Sequence, residues 1–403
     1  MMYVKNNNKP TESYDESNKI TKANVLVTAA GGIVAQGIIK SLKLANASNN
    51  SPVKYRIIAA DMSAQAAGLY RCDSGVLIPS ASLSTSNYID SIVDISKEEN
   101  IHAIYVGSDE ELMAVADAKE RIESETGAKV LTNPIQVIIA ARDKWKTFEF
   151  LNANNLPRAA SSLPENNETF IQEFGFPIVV KPREGYGSKH FYVVNDRDEM
   201  EYAISKIQKV GWNPLLQEYL KDDNECGDSG GCINISINND NSTEFTSGVT
   251  VDRLGKYIMS SISIQKIVKS GQTYKAFIDN FEGIRRSAEE IALKLGAKGA
   301  INVQTKLKRN EPKVIEINPR FSATCPMRSA AGINEPDIVF RNTVLDEKDI
   351  KMDGYQRLVC LRYWNEVYVQ YATYKKVDST GKVENFNNDG NINKGNSFIL
   401  DYF

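Results

Sequence analysis

Residues 300–321 read AINVQTKLKRNEPKVIEINPRF, two β-favouring runs around the polar turn KRNEP. In an extended strand, side chains alternate between faces. Ile315 and Ile317 then share one face of the second run, with Glu316, Asn318 and Arg320 on the other; in the first run Asn302, Gln304 and Lys306 share a face. Paired as a hairpin, the polar faces meet and gather a carboxylate, amide oxygens and two cations in one small area. Such a set suits a magnesium nucleotide, because Mg²⁺ takes hard oxygen ligands from one or two protein groups while phosphates and water complete its octahedron. Glu316 would bring charge, Gln304 and Asn318 neutral oxygens, and Arg320 a fixed planar cation facing phosphate or a developing acyl phosphate. On pattern alone, an ordinary hairpin with a solvated polar face explains the residues about equally well.

A second segment tips that balance. In FPIVVKPREGYGSKH, residues 176–190, Lys181 ends an apolar strand, and Gly185 and Gly187 would let backbone N–H groups approach a polyanion closely. A lysine in a buried strand needs a partner, and phosphate is a natural one. The loop is not GxxxxGK[ST], which disfavours a P-loop enzyme.

Further out, NVLVTAAGGIVAQG, residues 24–37, begins a series of apolar strands separated by amphipathic helices. That pattern predicts a parallel sheet covered on both faces, closing near Pro134. One helix is expected over EELMAVADAKERIESE and another over IQVIIAARDKWKTFEFLNANN. LLQEYL reads as a short strand, and residues 232–268 as an antiparallel meander. The basic stretch SIQKIVKSGQTYK, residues 263–275, reads better as a solvated strand than as a substrate contact, and Asp109 and Glu110 as either ligand-facing residues or helix caps.

The chain has 403 residues, 42% hydrophobic, and a formal net charge of -3. It is long enough for two or three domains, and lacks the basic footprint of a nucleic-acid binder or a polybasic membrane anchor. The polar N-terminus has no apolar signal core and no run spans a bilayer, so a cytoplasmic protein is expected. Five scattered cysteines fit reduced thiols; Cys226 and Cys232 flank GDSGG, but only two histidines exist to complete a zinc site or a Ser-His or Cys-His hydrolase.

Taken in order, ARDKWKTFEFLNANNLP, FPIVVKPREGYGSKH, LLQEYL, INVQ and VIEINPRFS resemble the ATP-grasp superfamily, and within it the large subunit of carbamoyl phosphate synthetase and shorter single-unit proteins similar to it. The resemblance covers roughly residues 24 to 345. It implies an α/β and α+β chain: an N-terminal Rossmann-like parallel-sheet domain (23–133) after a disordered tail (1–22), then a two-lobed ATP-grasp fold (134–345, small lobe about 158–220), with residues 346–403 completing the fold rather than adding a catalytic function. It implies that Lys144 and Lys181 contact ATP phosphates beneath the mobile loop of Gly185, Gly187 and Ser188, and that the backbone of Glu218, Tyr219 and Leu220 reads adenine. By the same resemblance Glu225 binds ribose, Gln304, Glu316 and Asn318 ligate metal, and Arg320 lies beside the transferred phosphate. Relatives commonly have a further glycine near His190, and NECGDSGGC around Glu225 is unusual.

The implied activity is that of an ATP-grasp carboxylate–amine ligase, with ATP and Mg²⁺ (or Mn²⁺) as cofactors and Arg320 and Lys181 as catalytic groups. A carboxylate becomes an acyl phosphate and an amine or similar nucleophile displaces phosphate. One such unit, without the duplicated half or a glutamine-hydrolysing partner, makes carbamoyl phosphate synthesis unexpected. The expected partners are small-molecule carboxylate and amine substrates and, for assembly, a homodimer; no nucleic acid or membrane is expected. Two alternatives stand beside it: a nucleotide-binding regulator or inactive ligase, and an NAD(P)-dependent oxidoreductase using the opening glycines with Asp61 on the ribose.

Overall fold

The computed structural model describes residues 22–48, 51–185, 187, 189–220, 242–269, 271–363 and 365–385. The first unit runs β1 (Lys22–Val27), α1 (Ile33–Ala47), β2 (Lys54–Asp61), α2 (Ala67–Arg71), β3 (Ser74–Leu77), α3 (Thr85–Glu98), β4 (Ala103–Tyr105), α4 (Asp109–Asp117), α5 (Lys119–Thr126) and β5 (Lys129–Val130). These strands are parallel, in the order β3-β2-β1-β4-β5. They are almost wholly apolar because helices cover both faces. The order reverses at β1, so a crevice opens beyond the carboxyl ends of β1 and β4. The single helix expected over 110–125 is divided at Ala118 into α4 and α5.

Two helices follow, α6 (Ile135–Arg142) and α7 (Lys144–Ala153). The sequence reads as one helix, but Asp143 leaves helical geometry; its carboxylate accepts the Trp145 N–H at 2.9 Å, capping α7, and accepts Arg183 Nε at 3.1 Å. A small antiparallel sheet comprises β6 (Ser161–Ser162), β7 (Ile178–Pro182), β8 (Tyr192–Val194) and β9 (Pro214–Glu218), ordered β6-β9-β7-β8, with α8 (Asn167–Phe174) and α9 (Arg197–Lys209) in its connections. It has its own core around Phe170, Ile178, Val180 and Ile207.

The large antiparallel sheet is built from β10 (Ser242–Val251), β11 (Ile258–Lys269) and β12 (Gln272–Ile278), then, after α10 (Glu282–Lys294), from β13 (Gly299–Lys308) and β14 (Glu311–Asn318). The chain continues through α11 (Cys325–Ala330), α12 (Glu335–Val344), β15 (Leu358–Leu361), α13 (Tyr371–Thr380) and β16 (Lys382–Glu384). β15 completes the large sheet, ordered β14-β13-β10-β11-β12-β15, while β16 adds antiparallel to β3 on the first sheet. Residues 263–267 are buried in β11, which corrects the solvated-strand reading for that half of 263–275, whereas Lys269, Gln272 and Tyr274 are exposed. Residues 232–241 of the expected meander lie outside the described residues.

One hydrophobic cluster joins the first sheet to the large one. It includes Val25, Ile38 and Ile57, Met259, Ile262 and Ile264, and Phe321, Cys325 and Phe340. Tyr55 packs edge-on against Phe340 with centroids 5.1 Å apart and donates to Asp337 at 2.7 Å. Tyr105 packs against Phe321 at 5.6 Å and donates to the Pro336 carbonyl at 3.0 Å. The segment after β14 is thus anchored on the N-terminal sheet, and α1 lies beside it. A Cβ on Gly37 of α1 would stand 3.2 Å from the Ser322 carbonyl oxygen and 3.3 Å from Ala323 Cα.

Candidate active site

The hairpin of β13 and β14 forms with Gln304 opposite Glu316 and Asn302 opposite Asn318. Between Gln304 and Thr305 the register slips, leaving Ile315 as the extra residue of a bulge. Strict alternation therefore fails here. Ile317 stays in the core, but Ile315 joins Glu316 in lining a cleft, and its carbonyl accepts Lys181 Nζ at 3.2 Å. Lys306, expected beside Gln304, instead donates to the Leu220 carbonyl at 3.4 Å.

Lys144, Lys181, Gln304, Glu316, Asn318 and Arg320 line this one cleft together with Gly185 and Gly187. Lys181 lies at the end of β7, donates to Gln217 Oε1 at 2.9 Å, and faces no carboxylate at ion-pair distance among the described residues. Desolvation, reinforced by nearby Lys144 and opposed by Glu316 and Glu244, brings its pKa down to about 7. Lys144 opens α7 and donates to the Gly185 carbonyl at 3.3 Å. Gly185 and Gly187 have φ of 148° and 66°, and His190 also takes a left-handed φ of 55°. His190 is therefore a position where a side chain costs backbone strain and glycine would not. Ser188 and Glu225 lie outside the described residues, as do Cys226 and Cys232.

The donor set fits a hard cation. Glu316 has no hydrogen bond or ion pair among the described residues, although it lines the cleft. Across the hairpin Gln304 faces it, its oxygen 3.4 Å from Lys266 Nζ, and Asn318 presents an oxygen 3.1 Å from Arg320. One carboxylate with neutral amides would leave most of an octahedron to phosphates and water. Among the described residues no group of three or more acidic, histidine or cysteine side chains is placed to hold a metal ion by itself. Lys266 forms an ion pair with Glu244 at 3.0 Å, and both line the cleft. Sequence reading missed this pair; the alternation of β11 with β10 was its available signal.

Arg320 is held more fully than expected. Its Nε and Nη2 donate to the two oxygens of Asp109 at 2.7 and 2.5 Å, and Nη1 to the Phe321 carbonyl at 2.9 Å. Asp109 stands in the first turn of α4, where Ser108 rather than Asp109 caps the helix. The Arg320 cation holds the Asp109 carboxyl below its usual range despite burial.

Glu218, Tyr219 and Leu220 end the small sheet but do not line this cleft. The Glu218 carboxylate accepts the Ala160 N–H at 2.8 Å, pairs with Lys308, and borders a separate cavity of about 930 Å³. Leu220 is buried and Tyr219 exposed.

The turn of the first unit borders another cavity, of about 350 Å³, lined by Gly31, Gly32, Asp61 and Glu111. Its left-handed residue is Ala29, with φ of 49°. Asp61 accepts from Gly31 N–H at 2.8 Å and Ser63 N–H at 2.9 Å, so both oxygens that would hold a ribose already brace the turn. Burial brings the Glu111 carboxyl up to about 7. Ile33 and Val34, on the other side of the turn, reach the main cleft, as does Arg362, just past β15. The last segment thus completes two sheets and also delivers a cation to the cleft, which its sequence did not announce. Among the described residues no helix is long and apolar enough to cross a membrane.

The family model described as ATP-grasp domain matches residues 141–324, and that described as PylC-like, N-terminal domain matches residues 25–131. The carbamoyl phosphate synthase large chain of Clostridium acetobutylicum is 26% identical over 293 residues, covering 70% of this chain and 25% of that protein. The chain therefore spans about a quarter of that relative's length. Among solved structures, N5-carboxyaminoimidazole synthetase from Staphylococcus aureus complexed with ADP aligns with a TM-score of 0.62 at 13% identity, over 85% of this chain and 82% of that one. The biotin carboxylase domain dimer of Hydrogenobacter thermophilus 2-oxoglutarate carboxylase, in complex with MgADP and bicarbonate, aligns at 0.59 and 17% identity over 82% and 71%. Residues 141–324 of this chain are an ATP-grasp domain, set behind a PylC-like N-terminal domain, and across the two the chain resembles the carbamoyl phosphate synthase large chain.

Proposed function

We propose that the chain is an ATP-dependent carboxylate–amine ligase. A carboxylate oxygen attacks the γ-phosphorus and ADP leaves; the amine nitrogen then attacks the acyl carbon, phosphate leaves, and the nitrogen gives up its proton. The observation that carries this reading is the convergence of Lys144, Lys181, Gln304, Glu316, Asn318 and Arg320 on one cleft. No side-chain nucleophile is needed, and catalysis rests on positioning and charge neutralisation.

In this reading Lys144 and Lys181 bind the phosphates, and a polyanion beside Lys181 restores the charge that burial removes. Gln304, Glu316 and Asn318 hold Mg²⁺ (or Mn²⁺), which would neutralise phosphate charge during transfer. Arg320, aligned by Asp109, faces the acyl phosphate, and the segment through Gly185 and Gly187 excludes water from it. We further propose that the division 23–133, 134–345 and 346–403 marks the folding units, that Ser188 and Glu225 serve nucleotide binding, and that the backbone of Glu218 to Leu220 reads adenine. Cytoplasmic location and a homodimer belong to the same reading; the biotin carboxylase domain named above is a dimer.

The test is ADP release with ATP, Mg²⁺ and pooled carboxylates and amines. Wild type is expected to turn over with a defined acid and amine. Glu316→Ala and Lys181→Ala are expected to lose about a hundredfold to a thousandfold in rate, in line with removal of a preorganised charge-stabilising group, while remaining folded. Full activity in both variants would sink the assignment.

A further inference from the structure

The cations of the cleft are not equivalent. Lys266 is paired with Glu244, Arg320 is gripped by Asp109, and Lys181 is hydrogen-bonded to neutral oxygens and largely stripped of its charge preference. Arg362 differs. Its guanidinium meets only the Ala323 carbonyl oxygen, at 3.5 Å, and no carboxylate among the described residues. Burial without a compensating acid lowers its affinity for its proton. Its backbone is fixed, since its N–H donates to the Tyr274 carbonyl at 3.2 Å, so the side chain is carried on the margin of a sheet.

A second feature points to the same charge. The first turn of α1, Ile33 and Val34, lines the cleft alongside Ala323 and Thr324. Its N-cap, Gly32, offers no side-chain cap, and the first turn carries no acid. The first turn of α1 thus brings the partial positive end of a long helix to the border of the cleft, while Asp61 accepts the Gly31 N–H on the other side of the turn. The close approach at Gly37 keeps α1 against Ser322 and Ala323, the segment that Arg362 touches. A helix terminus and an arginine without an acid partner thus flank one backbone stretch, two residues beyond Arg320.

We propose that this end of the cleft, Arg362 with the first turn of α1, seats a carboxylate that a substrate carries but that is not phosphorylated. The inference rests on the ligase reading and narrows it: one of the two joined molecules bears a spectator carboxylate. That molecule is either the phosphorylated acid, then a dicarboxylic acid, or the nucleophile, then an amino acid. Arginine suits the task because its planar fork grips a carboxylate through two parallel hydrogen bonds.

Calorimetric titration of the full chain, in wild type, Arg362→Gln and Arg362→Lys, tests the seat. Succinate is set against propionate, and glycine against methylamine. One carboxylate-bearing probe is expected to bind wild type roughly tenfold to a hundredfold more tightly than its counterpart, the scale of a hydrogen-bonded charge pair. Arg362→Gln is expected to erase the difference and Arg362→Lys to restore part of it, with thermal midpoints unchanged. Preference for succinate identifies the phosphorylated acid as the carrier, and preference for glycine the nucleophile. Equal discrimination in wild type and Arg362→Gln, or none in wild type, overturns the proposal. ADP release measured alongside separates the two readings. Absent turnover with Arg362-dependent binding defeats the ligase and leaves the seat, whereas turnover with unchanged acid and amine KM values in Arg362→Gln defeats the seat alone.

Discussion

Lys181 is a buried ammonium held by a side-chain amide and a main-chain carbonyl, both neutral. With its pKa brought down to about 7, the free protein loses this charge as pH rises through neutrality. The unfolded chain keeps its lysine protonated to about pH 10.4, so between those values the unfolded state binds the extra proton. Stability in the free protein therefore rises with pH across that window, and the cost of burying the charge is fully present below pH 7. Binding of a polyanion has the opposite preference and recruits the proton. ATP affinity is expected to fall by up to about tenfold per pH unit above 7, with about one proton taken up on binding, measurable as a buffer-dependent heat. Buffer-independent heat at pH 8 would show that Lys181 is not the group responsible.

Elements carry these residues with different degrees of legibility. The β-hairpin of Glu316 was plain in its alternating residues, and the pairing of Gln304 with Glu316 follows from it. The Ile315 bulge was not, because a bulge depends on what the freed carbonyl meets, here Lys181 on another sheet. Asp143 reads as a helix interior residue until Arg183 supplies the partner that pulls it out. Arg362 was missed for the same reason: its place depends on a strand pairing with β12, some eighty residues earlier in the chain. The segment after β14 is braced by Arg328 and Glu335, both buried, 2.8 Å apart, with Arg328 also donating to Ser322 and Thr324. A Cβ on Gly248 would fall 1.7 Å from Glu335 Oε1, so β10 needs glycine where it crosses this pair. Glu335→Gln leaves a buried guanidinium uncompensated and is expected to cost about 3–5 kcal/mol, read by chemical denaturation. A loss within error would mean that the surrounding hydroxyls suffice to hold Arg328.

At the scale of the whole molecule, the N-terminal unit contributes side chains to the candidate site. α4 presents Glu111 to the cavity beside Asp61 and, two residues earlier, Asp109 to Arg320. Asp109→Asn keeps the shape of the contact and removes its charge. It is expected to lower kcat roughly tenfold while shifting the KM for ATP less than twofold, since Lys144 and Lys181 are untouched. Equal changes in kcat and KM would mark Asp109 as a general support of the cleft rather than an aligner of Arg320. The parallel sheet itself was readable from its apolar strands, but the ion pair across 211 residues of sequence was not.

The two closing strands, β15 and β16, lie on different sheets and come late in the chain. A ribosome delivers the chain from its N-terminus, so both sheets stand with a bare hydrogen-bonding margin until residues 358–384 have emerged. β15 and β16 thus become the outer strands of their sheets in the same closing step that brings Arg362 to the cleft, so a nascent chain completes its two sheets and the lining of the cleft together.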